Sequence, residues 1–192
     1  MNPIRANNLI SVLRKLVATS SNNTDHKLGF TIFENYSKIM YHGSTKPIKE
    51  KDWNTNASGQ FGKGLYLTED RNLAGFYSKG GKQGCSSQKL LKDEQYVYKF
   101  KVNGRAFVIT DMQDAVTELR GEIDDASDGL MDSGGDYNNT RVTKYFAELA
   151  SDYHNCQLVV LPKSVKNCDL LTPQTLVLNT GSFKFLGVVK SP

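Results

Sequence analysis

Eight short runs of aromatic and β-branched residues, none longer than seven, punctuate this chain: Leu28–Phe33, Lys38–His42, Leu65–Thr68, Tyr96–Val102, Arg105–Thr110, Gln157–Leu161, Thr175–Leu178 and Phe183–Val189. Runs of this length and composition read as strands. Between them lie a few helical patterns. Leu9, Ile10, Leu13, Leu16 and Val17 recur at helical spacing, which predicts an amphipathic helix over about 3–19. Further helices are predicted over Arg71–Ser78, capped by Asp70, and over Asp111–Arg120 and Thr140–Ser151. Asn103-Gly104 between two strand runs predicts a hairpin, because both residues tolerate positive φ. Lys46–Gly59 reads as a surface loop, and 121–139 as an acidic, glycine-rich, mobile insertion. The sum is an α+β fold, a single domain over 1–192 with short, mostly antiparallel strands.

Composition narrows the class of protein. The chain has 192 residues, 39% hydrophobic and 23% charged, as ordinary globular domains do. No run of about 18 apolar residues is present, so no membrane association is expected. Met1–Ser20 carries Arg5, Arg14 and Lys15 among its apolar residues and lacks the apolar centre of a secretory signal. A cytoplasmic site of action is therefore expected, with delivery from another cell left open. Cys85, Cys156 and Cys168 are odd in number and lack metal-site spacing, and His26, His42 and His154 are not grouped as ligands. No metal is expected. The net charge of +4 is uneven: residues 111–136 hold nine acids and one base, Arg120, so that stretch carries −8 and the remainder +12. A basic body suits a nucleic-acid or phosphate-rich ligand, and equally a merely solvated surface.

Two motifs carry chemistry. In the first, His42-Gly43-Ser44 ends an apolar strand, and the glycine leaves the adjoining backbone open to a flat ligand. In the second, Phe61-Gly62-Lys63-Gly64-Leu65-Tyr66 leads two glycines into a strand that presents Tyr66. Tyr77 follows on the next predicted helix. Two tyrosines so placed suit both faces of a planar ring; on spacing alone they suit a core as well.

Taken together, these residues resemble the catalytic domain of the poly(ADP-ribose) polymerases. More broadly they resemble the diphtheria-toxin-like ADP-ribosyltransferases, which use a His-Tyr-Glu triad. The resemblance covers Tyr41–Lys79 and implies a split, bent antiparallel sheet with a few helices forming a cleft for NAD as co-substrate. It implies that His42 bonds the adenosine ribose and that Gly43 grips the nicotinamide amide, with Ser44 completing the segment. Tyr66 and Tyr77 would sandwich the nicotinamide ring, and Trp53 and Phe61 would lie in or beside the donor loop.

There are two departures from the family pattern. Where the polymerases place a carboxamide-binding serine, this chain has Ala74. The late strand that should open with glutamate is matched by Cys156-Gln157-Leu158-Val159-Val160-Leu161, which makes Gln157 the expected third member of a His42, Tyr66, Gln157 catalytic set. Glutamine holds a hydroxyl but neither carries charge nor removes a proton, so single-unit transfer is expected rather than chain elongation.

The expected activity is mono-ADP-ribosyl transfer from NAD to a macromolecular acceptor, RNA or DNA slightly ahead of protein, by a bacterial or phage toxin, effector or defence protein. Trp53 and Phe61 suit stacking on an unpaired base, and suit packing too. An antitoxin or inhibitor protein is a further expected partner. Two rival readings stand: an inactive NAD or ADP-ribose-binding module, and an NAD-dependent RNA 2′-phosphotransferase. The second needs several arginines at the cleft, and the motif region offers only Arg71.

Overall fold

The computed structural model describes residues 29–56, 58–59, 62–81, 90–111, 114–115, 139–152, 154–161 and 174–189. The helix expected over 3–19 and, apart from Asn139, the acidic stretch 121–139 lie outside the described residues, as does Phe61. Of the helix expected at Asp111–Arg120, Asp114 and Ala115 are described, and both are helical.

The fold is α+β, a mostly antiparallel six-stranded sheet with two α-helices among the described residues. In chain order the elements are β1 (Phe30–Ser44), β2 (Ser58–Gly59), β3 (Gly62–Lys63), β4 (Leu65–Leu67), α1 (Arg71–Ser78), β5 (Tyr96–Ile109), α2 (Asn139–Asp152), β6 (Leu158–Leu161), β7 (Gln174–Val177) and β8 (Phe183–Val189). The short β2 and β3 pair apart from the main sheet.

Two expected pairs of strands are single long ones. Phe30–Phe33 of the first expected strand and all of the second, Lys38–His42, belong to β1, which continues through a register shift between Phe33 and Tyr36; Leu28 lies outside the described residues. The Asn103-Gly104 hairpin is corrected in the same way. Both halves of β5 pair with β1 instead of with each other, Asn103 facing Ser37 and Gly104 facing Tyr36. A Cβ on Gly104 would stand 3.0 Å from the Gln157 Oε1, so this glycine admits a neighbouring side chain instead of turning the chain.

The sheet forks at β5. One edge of β5 bonds β1 throughout, while the other is divided between antiparallel β8 at Val97–Val102 and parallel β6 at Ala106–Val108. From β6 the order runs through β7 to β4. Laid flat, β4 would stand four strand spacings from β1, about 19 Å. Yet Thr68, just past β4, exchanges two backbone hydrogen bonds with Tyr41 of β1, at 2.8 and 2.9 Å. The sheet therefore curls until its last strand returns to its first.

The core follows from strand alternation. Met40, Leu65, Leu67, Tyr98, Phe100, Val102, Val108, Leu158, Val160 and Val177 are buried together on one face. The other face is covered in part by α2, whose Phe146 packs on Phe107, and in part by α1. Asp70 caps α1 as expected, its carboxylate accepting from the Asn72 and Leu73 N–H groups, an arrangement that stabilises by about 1 kcal/mol. Among the described residues no helix is long and apolar enough to cross a membrane.

Candidate active site

His42 lies near the end of β1, opposite Tyr98. Its Nδ1 is 2.9 Å from the Tyr66 carbonyl oxygen. A carbonyl only accepts, so Nδ1 carries the hydrogen and Nε2 is left with its lone pair. On the other side the Trp53 indole meets the imidazole edge-on, at 5.4 Å and 79°. Burial holds the His42 pKa below its ordinary value of 6.5, against a smaller opposite effect of the Tyr66 hydrogen bond. His42 is thus a neutral, oriented acceptor.

Gly43 supplies an open backbone edge. Tyr41 turns its N–H and C=O away from β5 toward Thr68. Residues two apart on a strand share an edge, so the N–H and C=O of Gly43 point the same way, past the end of that bridge. Among the described residues nothing bonds them. The glycine is also a packing requirement, since a Cβ there would overlap the Ala74 carbonyl and stand 2.8 Å from Ser78 N. Ala74 is buried under Gly43, and its methyl group offers no hydrogen bond. Ser44 spends its hydroxyl locally, donating to the Lys46 carbonyl and accepting from the Lys46 N–H.

Tyr66 sits between Leu65 and Leu67, which face the core, so its ring points to the opposite side. Tyr77 reaches the same side from α1, and the Gln174 Nε2 donates to its hydroxyl at 3.3 Å. Gln174 opens β7, where Leu176 is the direct partner of Tyr66, making Gln174 and Tyr66 diagonal neighbours on one face. The structure thus brings His42, Gly43, Ala74, Tyr66 and Tyr77 together, and adds Gln174, which sequence reasoning missed.

Gln157 stands apart from this group. Its Oε1 accepts from Arg105 N and its Nε2 donates to the Asn155 carbonyl, each at 2.7 Å. Its backbone is bonded to Arg105 and Leu178. Both ends of the amide are therefore engaged, Oε1 with β5 and Nε2 with the turn that leads into β6. Gln174 pairs with Leu161, whereas Gln157 precedes Leu158, so the two glutamines lie about 13 Å apart along the ladder. A glutamine stands at or just before the start of each of two late strands, and only the order of strands in the sheet puts Gln174 beside β4.

Trp53 is not a free stacking platform. Its ring is packed among Tyr98, Phe100 and Phe185 at centroid distances of 4.9, 4.8 and 6.2 Å, because the loop before β2 lays it on the apolar face beneath His42. Arg71 is bound in fork geometry by Glu94, at 2.8 and 2.7 Å. Glu148 and Asp152 are exposed on α2, away from these contacts.

A second histidine, His154, is also held below its ordinary pKa, by burial and then by the nearby Arg105 charge. In the unfolded chain both histidines take up protons near pH 6.5. The folded state does not until lower pH, so stability is full above about 6.5 and is lost as pH falls through that value. The midpoint of thermal unfolding is expected to drop between pH 7 and 5, and the double variant His42→Asn, His154→Asn to show a flatter slope. An unchanged slope would mean that neither histidine titrates this way.

The chain matches no known protein-family model and no curated protein.

Proposed function

We propose that this protein is an NAD-consuming mono-ADP-ribosyltransferase built as a single transferase domain, and that Gln174 is its third catalytic group. One observation carries the reading: Tyr66, Tyr77 and Gln174 converge beside the open backbone edge of Gly43, with the lone pair of His42 at the same strand end. These groups fit NAD in kind. The Gly43 edge presents a donor and an acceptor, which is what a carboxamide needs. The two tyrosines supply faces for the nicotinamide ring, and His42 Nε2 accepts from a ribose hydroxyl.

In the reaction, the bond between the ribose anomeric carbon and the nicotinamide nitrogen breaks, and nicotinamide leaves with the electron pair. A lone pair of the acceptor forms the new bond at that carbon, and the acceptor's proton passes to water. Gln174 orients the ribose hydroxyl or the acceptor. It adds no negative charge against the oxocarbenium-like state, which favours one transfer to an acceptor already nucleophilic. The phosphotransferase reading needs arginines free to hold phosphate, and Arg71 is committed to Glu94.

Adenylate-labelled NAD, incubated with the protein and a cell extract split into protein, RNA and DNA, is the direct test. Released nicotinamide and label in a macromolecular fraction are expected. Saturable NAD binding with neither release nor label would overturn the proposal in favour of the binding module.

A further inference from the structure

Where β1, β5 and β8 run side by side, one face is core and the other is cationic. On the core face Met40, Phe100 and Phe185 stand in register, as do Val102 and Phe183. On the opposite face Ile39 pairs with Lys101, Lys101 with Lys184, and Tyr41 with Lys99. Directly paired residues of an antiparallel sheet share a face. Lys101 and Lys184 are exposed, Ile39 is 40% exposed, and Tyr41 and Lys99 are half-buried. Among the described residues these three lysines form no ion pair.

Two cations placed directly across strands repel each other and lower stability. The arrangement of Lys101 against Lys184 therefore has no structural benefit of its own, and it is relieved by a polyanion. Lys99 and Lys101 are two residues apart, about 6.7 Å along one face. The face leads into the candidate site: Tyr41 makes the bridge to Thr68, two residues after Tyr66, and Gly43 follows Tyr41 on the same edge.

We propose that this face binds the phosphate backbone of a single-stranded nucleic acid and so presents a nucleotide to the NAD site as acceptor. The proposal rests on the transferase reading above. Lysines at regular strand spacing track phosphates, and Tyr41 and Ile39 among them give a base an aromatic and apolar surface. A single strand fits because a nucleotide stacked inside a duplex is held away from the anomeric carbon of an NAD bound beside Tyr66, Tyr77 and Gln174.

The test is fluorescence anisotropy of the full chain with a labelled 20-nucleotide uridine RNA and the matching thymidine DNA, without NAD, across a salt series. The wild type is expected to bind. The triple variant Lys99→Gln, Lys101→Gln, Lys184→Gln is expected to bind at least 10-fold more weakly at 50 mM salt. Its slope of log affinity against log salt should be shallower by about 2, since each phosphate contact on a single strand contributes about 0.7. Its melting temperature should hold or rise. The control Lys46→Gln, Lys49→Gln, Lys51→Gln removes equal charge from the exposed loop and should change affinity much less.

With NAD added, the lysine variant should keep its KM for NAD, while label on RNA and the nicotinamide release that RNA stimulates fall together. Equal losses in both variants, or no binding by the wild type, would overturn the proposal. A raised KM for NAD would reassign the lysines to the phosphates of NAD, and label on protein that falls with the lysine variant would reassign the face to an acidic protein. If the wild type released no nicotinamide, the transferase reading would fall, while the anisotropy arm would still decide the surface.

Discussion

Gln174→Ala is expected to lower NAD turnover by about 100- to 1000-fold, the usual loss when one preorganised polar group is removed from a charge-developing site. The fold should change little, because Gln174 is half-buried at the start of β7 and its bond to the Tyr77 hydroxyl is long, at 3.3 Å. Gln157→Ala should do the reverse. It strands the half-buried Arg105 N–H, now held at 2.7 Å, while the exposed Asn155 carbonyl turns to water. Leaving such a group unmatched costs on the order of 2 kcal/mol, a fall in melting temperature of roughly 4–8 °C for a chain of this size. Nicotinamide release and thermal melts on the same two samples separate the roles. Loss of turnover at unchanged melting temperature for Gln157→Ala, with Gln174→Ala fully active, would exchange the two assignments.

Gly43→Ala is the second large effect. The added methyl would overlap the Ala74 carbonyl and approach Ser78 N, and both obstacles are helix backbone. No side-chain rotation relieves that contact, so α1 has to move off the sheet. Overpacking of this kind costs about 3 kcal/mol. The displaced helix carries Ala74 and Tyr77, so the Tyr77–Gln174 bond is expected to break and NAD affinity to fall at least 10-fold. Calorimetric titration with NAD and a thermal melt check both halves. Retained affinity at wild-type stability would show that β1 and α1 are not held together in this way.

How much of this was legible before the fold was known depends on how local each signal is. Arg71–Ser78 was readable to the residue, because its start is written in the Asp70 side chain and the next few N–H groups. Phe183–Val189 was equally readable from its aromatic and β-branched residues, although its outward-facing Leu186 and Val188 are apolar. Asn103-Gly104 misled because its turn preference is a local quantity, whereas the long β1 offers both halves of β5 a partner they could not offer each other. Trp53 lies in a loop of surface composition, yet its ring is taken up by Phe100 and Phe185, far along the chain. The proposed third site residue, Gln174, was hidden for the same reason: Gln157 and Gln174 each lead into a short strand, and only the pairing of β7 with β4 distinguishes them.

Ser44 and Tyr96 are the last paired residues of β1 and β5. Residues 45 to 95 therefore leave the long ribbon and rejoin it with their two ends a single strand spacing apart, touching it between those ends where Thr68 bonds Tyr41. That excursion carries Trp53, Tyr66 and Tyr77, while the ribbon keeps His42 and Gly43. Because doubling the length of a flexible connection costs only about 0.6 kcal/mol, the loop between Ser44 and β4 tolerates insertion and deletion far better than β4, α1 or the ribbon does. The architecture separates a frame that has to be inherited whole from a cassette whose length is free to drift, so related chains that act on different acceptors should differ most in the spacing between His42 and Tyr66.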